Sequence, residues 1–279
     1  MAVGLVLGGI VSVQVGAAFA TTLFDEIGPG GTVFLRIAFA ALILLAIWRP
    51  AVRIRERSTA RDVLLFGLVF AGMNLSFYAA LDRIPLGIAV TLEFVGPLGV
   101  AILRSRRRRD LAWVGLAAAG LLLLSPVPGS DLDAMGAGLA LLAGVCWGAY
   151  ILLSSRVGAV IPGGAGLALA MAVGALLVTP VGLADGGGDL LDPELLAVGF
   201  LVAILSSALP YSLELEALRR LPEGVFGVMM SLEPAVAALV GFIGLEQGLA
   251  AREVLAIALV LAASAGALGS AREPPPPEA

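Results

Sequence analysis

Long apolar runs separated by short polar clusters dominate the 279-residue chain, and their lengths decide the fold class. A helix needs about 20 apolar residues to cross the hydrocarbon core of a bilayer. Ten runs approach that length, at 2–23, 31–48, 63–81, 85–103, 111–125, 134–154, 163–183, 195–213, 222–243 and 253–270. Gly28-Pro29-Gly30-Gly31, the stretch from Pro126 to Asp133 and Pro162-Gly163-Gly164 punctuate them, as glycine and proline do at helix ends. The pattern predicts an all-α integral membrane protein of ten transmembrane helices. The run 111–125 is short and needs its flanks or a thinner local bilayer to span. The first run lacks a basic start and is longer than the about 7–15 apolar residues of a secretory signal, so it is expected to stay as the first helix.

Polar residues between the runs set the orientation. Alternate connections hold Arg49, Arg53, Arg55, Arg57 and Arg61, then Arg104 and Arg106 to Arg109, then Arg156, then Arg219 and Arg220. The opposite set has only Arg83 and Arg252, but carries Asp25, Glu26, Asp131, Asp133, Asp185, Asp189, Asp192 and Glu194. The positive-inside rule then puts both termini in the cytoplasm, in the inner membrane of a bacterial cell. The Pro-rich end, 271–279 with Arg272, reads as a disordered cytoplasmic tail.

Composition narrows the chemistry. A soluble chain is about 45–50% apolar and about 25% charged; this one is 59% hydrophobic and 14% charged, with a mean hydropathy of +1.03. Such a mixture cannot build a water-facing surface. The chain has no His, and Cys146, its one cysteine, lies inside an apolar run. That rules out a disulfide framework and argues against a metal or Cys/His catalytic site. No phosphate-binding loop occurs, so ATP is not a direct energy source, and neither a cofactor nor a nucleic-acid partner is expected. The net charge of −4 says little about partners, because the two signs fall in different loops.

The chain also matches itself. A shift of 137 residues lays Arg83-Ile84-Pro85-Leu86-Gly87 on Arg220-Leu221-Pro222-Glu223-Gly224, and Pro97 on Pro234. Ala80-Leu81 falls on Ala217-Leu218 in the same frame, and Pro29-Gly30-Gly31 matches Pro162-Gly163-Gly164 at an offset of 133. Two halves of five helices, 1–126 and 134–270, would lie in the membrane with opposite orientation, the inverted-repeat plan of many secondary transporters.

Few polar side chains lie at membrane depth, and an ionisable group there is a functional candidate by default. Glu93, eight residues past Pro85, lies about 12 Å deep, and Arg36, seven past Pro29, about 10 Å. Matched depth predicts an Arg36–Glu93 ion pair, which would join helices or serve a substrate or proton. Glu233, eleven past Pro222, lies about 16 Å deep with no partner evident in sequence. Burial penalises its charged form, which suits a proton carrier and equally suits a neutral acid bonded between helices. Each acid neighbours a proline, Pro97 or Pro234, which frees a backbone carbonyl one turn earlier. Asn74 and Gln14 carry amides that need several partners when buried. Trp147, Tyr150, Ser207 and Ser231 complete the candidates with Tyr78 and Tyr211, which fit an interfacial belt as well. Ser206, Ser76 and Thr91 more often bond locally than bind a ligand. The small-residue sets Gly4 with Gly8, Gly115 with Ala119, and Gly136, Ala140, Gly144 and Gly148 read as close helix packing.

The stretch from Pro85 to Pro97, PLGIAVTLEFVGP, together with Gly72-Met73-Asn74, Cys146-Trp147, the run Ala203 to Glu214 and Met230-Ser231-Leu232-Glu233-Pro234-Ala235, resembles the bacterial threonine/homoserine exporters. These belong to the EamA-domain branch of the drug/metabolite transporter superfamily. The resemblance runs the length of the chain. It implies ten helices in two five-helix repeats, and a central cavity lined mainly by the first, third, fourth, sixth, eighth and ninth helices. It also implies export of threonine, homoserine or a related small amino acid. With no ATP site, a secondary exporter driven by the proton gradient is expected, as a monomer or homodimer. A multidrug exporter of the same superfamily is the alternative, weakened by an aromatic content of 6%, since lipophilic cations favour aromatic, anionic pockets. An intramembrane enzyme would need a nucleophile and base or metal ligands, and the chain offers neither.

Overall fold

The computed structural model describes residues 2–50, 56–84, 86–105, 107–124, 133–236 and 251–271, and among these every regular element is helical. Helix α1 runs from Ala2 to Trp48, broken only at Gly28 (φ 66°, ψ 172°), a conformation essentially confined to glycine. The connection expected between the first two runs therefore shrinks to one residue. Pro29 opens the second part, where its missing N–H costs nothing. Asp185 caps the same turn by accepting from the Gly30 N–H at 3.0 Å.

Helices α2 (Arg57–Leu81), α5 (Arg108–Leu124), α6 (Ala134–Val160) and α7 (Ala165–Gly186) follow the apolar runs closely. Asp133 starts α6 by accepting from the Gly136 N–H at 2.7 Å. Asp192 does the same for α8 (Pro193–Ala203) through the N–H groups of Glu194 and Leu195, at 2.8 and 3.3 Å. Three runs are interrupted. The run at 85–103 divides into α3 (Leu86–Glu93) and α4 (Val95–Arg104) at Phe94 (φ −63°, ψ −10°). In the run at 222–243, α10 (Glu223–Met230) ends at Ser231 (φ −62°, ψ −11°) and helix resumes over 232–236. Each interruption falls three residues before a proline, Pro97 or Pro234, whose ring displaces the carbonyl four residues back. In the third, α8 passes through a π turn, Ile204–Ala208, into α9 (Leu209–Leu218), with the Leu209 N–H reaching back to the Ile204 carbonyl. Helix α11 (Ala251–Ala271) closes the chain. The expected end of the ninth run at 237–243, the boundary between halves at 126–132 and the tail at 272–279 lie outside the described residues.

Among the described residues, five helical stretches are long and apolar enough to cross a bilayer: Thr22–Trp48, Arg57–Leu81, Ala134–Val160, Ala165–Gly186 and Pro193–Leu218. Ala2–Ala17 and Val254–Ser270 are shorter apolar helices. Leu103, Leu122 and Leu176 project outward from three helices, as lipid-facing side chains do. Inside, α1 packs on α7 and α8, α2 on α6, α4 on α10 and α5 on α11. Glycine sets one close crossing. A Cβ on Gly96 of α4 would run into the Gly144 carbonyl of α6, and one on Gly144 would lie 2.6 Å from the Glu93 carbonyl. The expectation is not met at Gly4 and Gly115, where an added Cβ would find no atom of another element within 4 Å among the described residues.

Candidate functional site

The interrupted run α3–α4 and its counterpart at α10 bring Glu93 and Glu233 to one cavity of about 480 Å³ between α1, α2, α5, α6 and α9. Proline explains their place: each acid sits beside a helix break, where the chain bends and cannot close its regular bonds. Gln14 on α1 donates to the Glu233 backbone carbonyl at 3.3 Å and ties the first helix to the broken one. Among the described residues neither carboxyl has an ion-pair or hydrogen-bond partner, so both are available to a cavity ligand.

Arg36 supplies the opposite charge. Its guanidinium donates to the Asn74 side-chain carbonyl. Asn74 in turn donates to the Phe70 carbonyl at 2.9 Å, which fixes the amide's orientation. The guanidinium carbon lies 5.7 Å from the centre of the Tyr78 ring, a cation–π contact. Arg36 thus faces the same cavity as Glu93, but its bonded partner is Asn74 rather than the expected Glu93 carboxylate. Depth along a helix fixes height and leaves the direction around the axis open, and in that direction α2 is nearer.

Tyr78, Trp147 and Tyr211 also border the cavity. Trp147 packs edge-on against Phe94, the residue at the helix break, with ring centres 5.0 Å apart. Tyr211 lies between Phe70 and Tyr150, at 4.9 and 5.4 Å. Three expected site residues stand behind this wall. Tyr150 is fully buried, Ser207 is fully buried, and the Ser231 hydroxyl is spent on the Val228 carbonyl at 2.5 Å. Among the described residues no cluster of metal ligands occurs.

Residues 134–269 match the EamA-like transporter family. Over 268 residues the chain is 45% identical to the threonine/homoserine exporter RhtA of Salmonella typhimurium strain LT2, covering 95% of this chain and 90% of that one. It is 44% identical to the same exporter of Escherichia coli K12 over 273 residues, 96% of this chain and 92% of that one. The chain belongs to the threonine/homoserine exporters of the EamA-like transporter family. This exporter is a multi-pass membrane protein and a transporter, not an enzyme. Its fold is that of a crystallised protein only 17% identical to it, which superposes with a TM-score of 0.80 over 97% of both chains.

The exporter's cavity also holds residues that sequence reasoning passed over. Glu214 of α9 borders it and accepts a hydrogen bond from the Tyr150 hydroxyl at 2.9 Å. It stands one residue past the expected end of its run, 195–213, and enters the sequence reading only as the last residue of the Ala203–Glu214 stretch. Ser206, ranked below Ser207 on sequence, is the serine that faces the cavity. The π turn makes the exchange. It closes hydrogen bonds between residues five apart, which brings Ser206 and Tyr211 onto one face where α-helical spacing would separate them. Five aromatic residues, Phe77, Tyr78, Phe94, Trp147 and Tyr211, share the wall, so the low overall aromatic content does not describe the cavity.

Proposed function

We propose that this chain exports threonine, homoserine or a related small amino acid across the bacterial inner membrane, by alternating access through the cavity at Glu93 and Glu233. One observation carries the reading: the cavity has a guanidinium held by Asn74 and carboxyls without partners among the described residues. A zwitterion presents one carboxylate and one ammonium. Each is costly to bury alone and each finds its complement here. The identity to threonine/homoserine exporters over nearly the whole chain selects amino acids from the metabolites that such a site could take.

The same proposal includes ten transmembrane helices in two inverted halves, 1–126 and 134–270, with both termini cytoplasmic. The matched breaks at Phe94 and Ser231, 137 residues apart and alike in backbone angles, support the repeat. The Arg asymmetry of the loops supports the orientation. Exchange for protons follows from a carboxyl that can hold a proton or an ammonium but not both at once. Glu233, with Glu93 as its rival, is the residue proposed for that role.

The test is efflux of labelled threonine and homoserine from a host that these amino acids inhibit. Expression should raise both efflux and resistance. The aromatic wall keeps a second reading in view, export of lipophilic cations. Unchanged amino-acid efflux with raised resistance to cationic dyes would overturn the first reading in favour of the second.

A further inference from the structure

Glu214 is bonded to none of Arg36, Glu93 and Glu233 among the described residues, yet it is a cavity acid only 5% exposed. Among the described residues no arginine pairs with it, and the Tyr150 hydroxyl at 2.9 Å is its bonded partner. A carboxylate has about four acceptor positions, so this single bond leaves most of them open. Ser206, on the same helical run, also borders the cavity, and its hydroxyl, 3% exposed, lacks a hydrogen-bond partner among the described residues. The π turn aligns Ser206, Tyr211 and Glu214 along one wall.

Glu214 also lies at a different level from the other two acids. The ends of α4 and α9 share one face of the protein, since Arg104 pairs with Glu223 at 2.6 Å and Glu223 follows Arg219 and Arg220 by a short turn. Glu93 stands eleven residues before Arg104, and Glu233 ten after Glu223, which puts both about 15–17 Å from that face. Glu214 stands five residues before Arg219, about 8 Å from it. The cavity therefore carries acid at two levels, and the nearer one faces the Arg-rich, cytoplasmic side from which an exported substrate arrives.

We infer that Glu214 is a first ammonium acceptor at the Arg-rich end of the cavity, positioned by Tyr150 and met before the exchange site at Glu233, and that selection for an α-amino group is made there. The inference rests on the export reading. An ammonium has three N–H donors, and the open acceptor positions of the Glu214 carboxylate offer partners to them. Loss of the carboxylate removes a charge-assisted bond in a dry site, the stronger kind.

The purified full-length protein in proteoliposomes tests this with labelled threonine, and with the analogue in which a hydroxyl replaces the α-amino group. Glu214→Gln keeps the size and can still accept from Tyr150, but has no charge. It should raise the KM for threonine about tenfold or more with little change in kcat, and shrink the preference for threonine over the hydroxy analogue by a similar factor. Glu214→Asp should recover part of both. If Glu214→Gln keeps the wild-type KM and preference, the carboxyl only joins α6 to α9 and the inference is overturned. Should that variant fail to fold, Tyr150→Phe decides. It must raise the threonine KM more than that of the hydroxy analogue, and an equal rise overturns the assignment. Wild-type protein that moves no threonine would instead overturn the export reading itself.

Discussion

Replacing Gly96 by alanine adds one methyl group at a close helix crossing, that of α4 with α6. The new Cβ would overlap the Gly144 carbonyl oxygen and stand 2.8 Å from the Gly144 carbonyl carbon and 2.9 Å from the Gly148 nitrogen. All three are backbone atoms of α6, so no side chain can swing aside. Restoring ordinary contacts of about 3.5–4.0 Å requires α4 and α6 to part by roughly 1 Å. That movement loosens Phe94 from Trp147 and carries Glu93, whose carbonyl lies over Gly144, away from its place in the cavity wall. Overpacking of this kind costs about 1–3 kcal/mol, which at about 2–4 °C per kcal/mol lowers the melting temperature by roughly 2–12 °C. Gly99, three residues along the same helix, has nothing within 4 Å of its added Cβ. Gly99→Ala should melt no lower than wild type, because alanine is the better helix former. Melting of the detergent-purified protein, followed by labelled-threonine efflux in cells, measures both effects. If Gly96→Ala and Gly99→Ala melt together and export alike, the close α4–α6 crossing is wrong.

Arg36→Gln removes the cavity's guanidinium while leaving a side chain that can still bond Asn74. Threonine efflux should fall about tenfold or more, and undiminished efflux would show that the substrate carboxylate binds elsewhere. Glu233→Gln should flatten the pH dependence of efflux; if Glu93→Gln flattens it instead, the coupling role passes to Glu93, and if neither does, proton exchange through these acids is wrong. After Cys146 is replaced, an impermeant thiol reagent on intact cells should label Gly187→Cys and spare Arg57→Cys and Arg107→Cys. The reverse pattern sinks the proposed orientation.

Hydropathy located the apolar helices well because burial in lipid is a property of whole segments, which sequence records directly. The glycine and proline signals located the joints, down to the break at Gly28 and the two interruptions before Pro97 and Pro234. The cavity was legible in height but not in azimuth. The expected Arg36–Glu93 ion pair is replaced by a bond from Arg36 to Asn74, because the partner depends on which helix lies beside it. Ser206 and Glu214 escaped for related reasons. A π turn alters the spacing on which any helical reading relies, and a one-residue error at a helix end left a buried acid outside its run. Small-residue patterns marked Gly144 and Gly148, which Gly96 crosses, but gave the same signal at Gly4 and Gly115, where an added Cβ meets no other element among the described residues.

The extra residue in the π turn is a spare in the spacing of this wall. Deleting Ser207 or Ala208 would let an ordinary α-helix form through the span, still 25 residues long after the loss from Pro193–Leu218. It would insert in the membrane as before. Ser206 and Tyr211 would then stand four residues apart instead of five, a spacing that an α-helix also places on one face. The wall should therefore survive the loss of a residue from the middle of a membrane-spanning helix. A relative lacking that residue would be expected to present the same face to its cargo from an unbroken helix.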